Sequence, residues 1–218
     1  MPEEGVAIRL NGGALKGDLV VPPGAKGIVL FAHGSGSSRH SPRNRYVARA
    51  LQQSGLGSLL IDLLTRDEER RDLQTAELRF DINLLTGRLE QTIDWLQATP
   101  RTGSLRIGLF GASTGAAAAL VAASRRPEII RAVVSRGGRP DLAGQALSRV
   151  RAPTLLIVGG ADAPVVAMNR EAMPLLTGVN RLEIVAGASH LFEEPGALER
   201  VAQLAAEWFN HYLKPPEA

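Results

Sequence analysis

The stretch Arg106-Ile107-Gly108-Leu109-Phe110-Gly111-Ala112-Ser113-Thr114-Gly115 constrains this chain more tightly than any other. Ile107 to Phe110 reads as a buried strand. The small-residue run Ala116 to Ala119, continued by Leu120 to Ala123, reads as a buried helix. Between them, Gly111-Ala112-Ser113-Thr114-Gly115 fits the strand–turn–helix pattern Gly-x-Ser-x-Gly. The demand is steric. A serine on so tight a turn leaves little room for side chains two positions before and after it. The turn also sets Ser113 at a helix N-terminus, where unpaired N–H groups and the helix dipole favour developing negative charge.

The rest of the chain supplies context on both sides. Ala7–Leu10 and Leu15–Val21, around Asn11-Gly12-Gly13, predict an N-terminal hairpin. Apolar runs at Gly27–Ala32, Gly57–Asp62, Ile129–Ser135, Thr154–Val158 and Arg181–Val185 read as strands. Helical patterns over Asn44–Ser54, Asp81–Ala98, the stretch after Ser113 to Arg125, Asp141–Ser148, Val166–Leu176 and Pro195–Tyr212 alternate with them. The charged segment Thr65–Arg79 has no apolar periodicity and reads as a surface loop. From Gly27 onward this alternation predicts an α/β fold: a mostly parallel sheet with helices on both faces and no large lid. In such sheets the crevice opens at the carboxyl ends of the strands.

At 218 residues one domain spanning 1–218 is expected. No apolar run is long enough for a membrane span, and Met1-Pro2-Glu3-Glu4 lacks a basic-then-apolar leader, so a cytoplasmic location is the default expectation. The chain has no cysteine, which removes thiolate metal sites and a cysteine nucleophile. Twenty-five basic residues face 22 acidic ones and are dispersed among them, as in Asp67-Glu68-Glu69-Arg70-Arg71-Asp72. A phosphate backbone requires clustered charge of one sign, so no nucleic-acid partner is expected. The loop Gly34-Ser35-Gly36-Ser37-Ser38 lacks the Gly-Lys-Ser/Thr ending of a phosphate loop and the glycine spacing of a dinucleotide site.

Three strand ends carry the groups that acyl transfer needs. The turn gives Ser113, Asp162 follows Thr154–Val158, and His190 follows Arg181–Val185. The order Ser, Asp, His is that of α/β-hydrolases. A serine hydroxyl is a poor nucleophile until a base takes its proton. Histidine, titrating near neutrality, takes that proton and returns it to the leaving group. A carboxylate on the other ring nitrogen fixes the tautomer. The oxyanion donors expected are the backbone N–H groups of Thr114 and of Ser35, in the loop after Gly27–Ala32. Asp62 is a competing strand-end acid. His33 reads as structural, packing the oxyanion loop, and His40 and His211 as surface residues.

With these residues in place, the chain resembles lidless α/β-hydrolases of the dienelactone hydrolase-like group. The resemblance runs from Phe31-Ala32-His33-Gly34 through Gly111-Ala112-Ser113-Thr114-Gly115 and Gly160-Ala161-Asp162 to Ser189-His190-Leu191-Phe192. It implies a cofactor-independent hydrolase, with no metal and a small ester or lactone as its partner. Dienelactone hydrolases use a cysteine nucleophile where Ser113 stands here, which shifts the expectation toward a serine esterase. Transfer of the acyl group to another acceptor, cleavage of an amide or thioester, and a non-catalytic ligand-binding relative are the alternatives. Arg136 and Arg139 follow the strand Ile129–Ser135, and Arg39 and Arg43 follow the oxyanion loop. A guanidinium fork suits a carboxylate, so Arg136 is the residue expected at the rim to bind an acidic substrate.

Overall fold

The structure is a computed structural model and describes residues 2–214. These residues form an eight-stranded sheet in the order β1-β2-β4-β3-β5-β6-β7-β8. The N-terminal hairpin pairs β1 (Glu4–Leu10) with β2 (Gly13–Val20), and β2 joins the sheet antiparallel to β4 (Gly57–Ile61). From there β3 (Gly27–Ala32), β5 (Arg106–Ala112), β6 (Ile130–Arg136), β7 (Thr154–Gly159) and β8 (Asn180–Val185) run parallel. β3 and β7 are buried at every residue, as strands covered on both faces must be.

Alternate residues along these strands feed two cores. Val29, Phe31 and Phe110 pack with Val47 and Leu51 of α1 (Pro42–Gln53) and with Val201 and Phe209 of α6 (Ala197–Leu213). Leu30 and Leu109 face the other way, with Leu89 and Ile93 of α3 (Ile82–Ala98) and Leu120 of α4 (Thr114–Arg125). Each fully buried side chain of this size contributes about 1.5–3 kcal/mol relative to exposure. α4 is buried along almost its whole length. Its alanines let the helix lie close to the sheet, so the turn that precedes it is held rigidly.

Residues 65–79 correct the sequence reading. They form a helix, α2 (Arg66–Thr75), followed by a short 3₁₀ turn, Leu78–Phe80. α2 has no apolar stripe because its one buried residue is a carboxylate, Asp72. It is held by its ends instead. Thr65 and Glu68 form a reciprocal capping box, and Asp67, Glu68 and Glu69 lie in the first turn, where the dipole favours acids. Asp72 accepts from the Leu78 and Arg79 N–H groups and from Arg79 Nε at 2.6 Å, fixing the helix to the turn after it.

Smaller differences also follow from local chemistry. Residues 140–149 are two 3₁₀ pieces broken at Gly144, where φ is 51°. α5 (Ala163–Ala172) starts three residues earlier than the apolar pattern indicates, because Pro164 in its first turn supplies a preset φ. Among the described residues no helix is long and apolar enough to cross a membrane.

Candidate active site

Ser113 joins β5 to α4 with φ 51° and ψ −122°, a conformation that side chains rarely adopt. The glycines around it show why the turn closes so tightly. A Cβ on Gly111 would lie 2.3 Å from Ala116 Cα, and one on Gly115 would lie 2.4 Å from the carbonyl oxygens of Ala32 and His33. No side chain fits at either position. The turn is further tied to the neighbouring strand end, since the Ser113 N–H donates to the Arg136 carbonyl at 3.2 Å.

Asp162 and His190 come from the ends of β7 and β8, and His190 Nδ1 lies 2.7 Å from Asp162 Oδ2. Asp162 is the N-cap of α5, yet its carboxylate makes no capping bond. Pro164, at the second helical position, has no N–H to offer, which leaves the carboxylate to the imidazole. The two loops are brought together by backbone packing. A Cβ on Gly159 would stand 2.3 Å from the Ser189 carbonyl oxygen, and the Ala161 N–H donates to the Ala188 carbonyl at 2.9 Å. The histidine loop is pinned from both sides. Glu194 accepts the Ser189 N–H at 2.9 Å, and that bond holds the Glu194 carboxyl below its ordinary range. Phe192, with φ 56°, is buried in the core beneath the loop.

Asp62, the other strand-end acid, is otherwise engaged. It accepts the Arg39 backbone N–H at 2.8 Å and pairs with the Arg39 guanidinium, which also reaches Asp18. His33 links the loop after β3 to the end of β4, the structural role expected of it. Its Nε2 accepts the Leu63 N–H at 3.1 Å, which leaves the proton on Nδ1, 2.8 Å from the Gly34 carbonyl. Burial holds its pKa below the usual 6.5, outweighing the carbonyl contact and the nearby acids. His40 and His211 are exposed.

Ser35 and Thr114, the two residues expected to supply oxyanion donors, lie side by side. The Ser35 N–H donates to Thr114 Oγ1 at 2.9 Å. Beside them opens a cavity of about 450 Å³, lined by Gly34, Ser35, Leu64, Leu73, Arg79 and Thr114 among others. Leu73 and Arg79 belong to the segment that sequence periodicity reads as a loop. The Thr65-x-x-Glu68 cap was the signal available there.

The sequence profile of the dienelactone hydrolase family matches residues 15–213. The chain belongs to the dienelactone hydrolase family. A crystal structure of a dienelactone hydrolase from Anabaena variabilis is 64% identical, covers 98% of this chain and 99% of its own, and superposes with a TM-score of 0.96. Est1E from Butyrivibrio proteoclasticus shares the fold alone, with a TM-score of 0.80 at 14% identity over 95% of this chain and 98% of its own. A Mycobacterium tuberculosis protein provisionally named a phosphoribosyl transferase is 56% identical over 200 residues, 92% of this chain. The match takes up 44% of that protein, so the chain spans about half the length of the curated relatives it matches.

Within this dienelactone hydrolase-family site the four arginines separate. Arg39 is paired as above, Arg43 pairs with Glu193, and Arg139 pairs with Asp141. Arg136 is no rim residue. It is the last residue of β6, only 7% exposed, with its guanidinium 5.9 Å from the centre of the Phe192 ring. Among the described residues its guanidinium has one polar contact, a long 3.5 Å approach to Asn44 Oδ1, and its Nε and Nη1 are buried with no partner there. Burial, with Arg43 nearby, lowers its pKa to about 10, so it stays charged at neutral pH. Among the described residues no group of three or more His, Asp or Glu side chains is placed to hold a metal ion.

Proposed function

We propose that this chain hydrolyses small carboxylic esters or lactones through a Ser113–His190–Asp162 triad and an acyl-enzyme. The 2.7 Å contact between His190 Nδ1 and Asp162 carries the reading. It commits Nδ1 as the hydrogen-bond donor to the carboxylate and leaves Nε2 to act as base. Ser113, on its strained turn, attacks the carbonyl carbon while Nε2 takes its proton. The carbonyl electron pair moves to oxygen, where the N–H of Thr114, first in α4 and free of the helix ladder, stabilises it. Collapse expels the alcohol with the proton from His190, and water repeats the sequence on the acyl-enzyme. In this reading the ester or lactone is the only partner and no cofactor takes part.

The unpaired guanidinium of Arg136 supports an acidic group on the substrate. A buried charge without a counter-ion costs several kcal/mol, on the order expected from desolvation alone, and a carboxylate would offset that cost. The transferase name of the Mycobacterium tuberculosis relatives is not carried over, since this chain corresponds to less than half their length. The test is pre-steady-state hydrolysis of p-nitrophenyl acetate. Wild type should release a burst of one nitrophenolate per chain, and Ser113→Ala should release none while melting normally. A burst that survives in Ser113→Ala would overturn the assignment.

A further inference from the structure

We propose that the second oxyanion donor is the hydroxyl of Thr114, and not the backbone N–H of Ser35. The inference rests on Ser113 being the nucleophile, and three observations carry it. A backbone N–H has a single proton, and that of Ser35 is committed to Thr114 Oγ1 at 2.9 Å. The hydroxyl that accepts it keeps its own proton, and among the described residues no acceptor takes that proton up. Thr114 also stands at the first position of α4. A threonine deeper in a helix gives its proton to the carbonyl three or four residues back. Four residues before Thr114 is Phe110, inside β5, so the usual acceptor is missing.

Position and chemistry then agree. Thr114 is 4% exposed, adjoins Ser113 and lines the cavity together with Gly34 and Ser35. The bond from the Ser35 N–H holds its hydroxyl oxygen in place beside the cavity. Accepting from Ser35 polarises the O–H bond and makes it a stronger donor toward an anion. One residue then provides two donors, its N–H and its O–H. The glycine–serine loop acts through that hydroxyl without touching the substrate oxygen. Serine keeps this chemistry and valine removes it at nearly constant shape.

Kinetics on p-nitrophenyl acetate and inhibition by phenylboronic acid, a tetrahedral mimic, test the proposal. Thr114→Val should lower kcat about 100-fold, the size of a lost oxyanion donor, with KM within about threefold of wild type. Boronate affinity should fall in parallel, and Thr114→Ser should restore both to within about threefold. Thr114→Ala serves as the second variant if valine lowers the melting temperature. If Thr114→Val or Thr114→Ala keeps or raises kcat, the freed Ser35 N–H is the donor and the proposal is wrong. A fall in kcat matched by an equal rise in KM, unrescued by serine, would mean that the hydroxyl only holds the loop, which also overturns it. Wild type showing neither turnover nor boronate binding would overturn the reading of the site itself, a result distinct from the other two.

Discussion

Asp62 and Asp162 are two acids of one kind in two similar places. Each follows a buried parallel strand, β4 or β7, at the same end of the sheet, and each side chain is mostly covered, at 20% and 15% exposure. Their partners differ. Asp62 meets a guanidinium, is joined through it to Asp18, and accepts a backbone N–H as well. Asp162 meets an imidazole and makes no capping bond to its own helix. A guanidinium is charged at every pH the protein meets, so the Asp62 cluster is fixed. An imidazole can carry one proton or two, so a carboxylate on its Nδ1 can fix the tautomer and balance the charge of the protonated ring without taking the proton itself. The side chain that reaches an acid, more than its place at a strand end, decides what the acid does.

The largest effect expected from this contrast is on turnover. Asp162→Asn should lower kcat for an activated ester by about 10⁴, because an amide favours the wrong histidine tautomer. Asp62→Asn should lower kcat less than tenfold, on the order of one lost surface-proximal ion pair, and show mainly as a reduced melting temperature. Steady-state kinetics on both variants check the ranking. Equal losses would dissolve the distinction between the two acids.

Asp72 extends the comparison to an acid that is wholly structural. Burial alone would raise its pKa, but hydrogen bonds from Arg79 and Leu78, with the Arg79 charge, outweigh it and hold the value below 3.8. A carboxyl depressed in the folded state stabilises above its unfolded pKa, and that contribution fades as pH falls from about 4 through the lower folded value. Asp72→Ala should cost about 2–3 kcal/mol near neutral pH, for the donors it leaves unpaired. Denaturant melts should show the gap from wild type narrowing as pH falls below the ordinary carboxyl value of 3.8. A pH-independent gap would assign Asp72 to packing alone.

Arg136 is the inverse case, a buried cation that no acid among the described residues meets. Arg136→Gln should cut turnover of a carboxylate-bearing ester about tenfold more than that of its neutral amide counterpart. It should also raise stability, by about 1–2 kcal/mol, because a buried unpaired charge is removed. Because the group is covered, salt should weaken the preference less than it would at a rim. A paired kinetic and thermal measurement checks both signs. Loss of stability with no change in selectivity would make Arg136 a support for Phe192 and its loop.

Local rules made the turn at Ser113, the order of the three strand ends and the role of His33 legible in the sequence. Sterics demand Gly111 and Gly115, and strand–helix alternation puts Ser113, Asp162 and His190 at one end of the sheet. What stayed hidden depends on long-range partners. α2 buries one carboxylate and no apolar face, so periodicity has nothing to report there. Arg136 reads as exposed until Asn44 and Phe192, from distant parts of the chain, are seen to cover it. The Ser35–Thr114 bond spans 79 residues, and no local pattern encodes it.

The most direct test of the central claim follows Ser113 itself. Wild type, Asp162→Asn and Asp62→Asn would each react with an activated phosphonate ester, with the adduct located and timed by peptide mass spectrometry. A single adduct on Ser113 is expected, formed at similar rates in wild type and Asp62→Asn and at least about 10³ slower in Asp162→Asn, as a lost orienting carboxylate requires. An adduct on another residue, or a slow reaction in Asp62→Asn with Asp162→Asn unaffected, would contradict it.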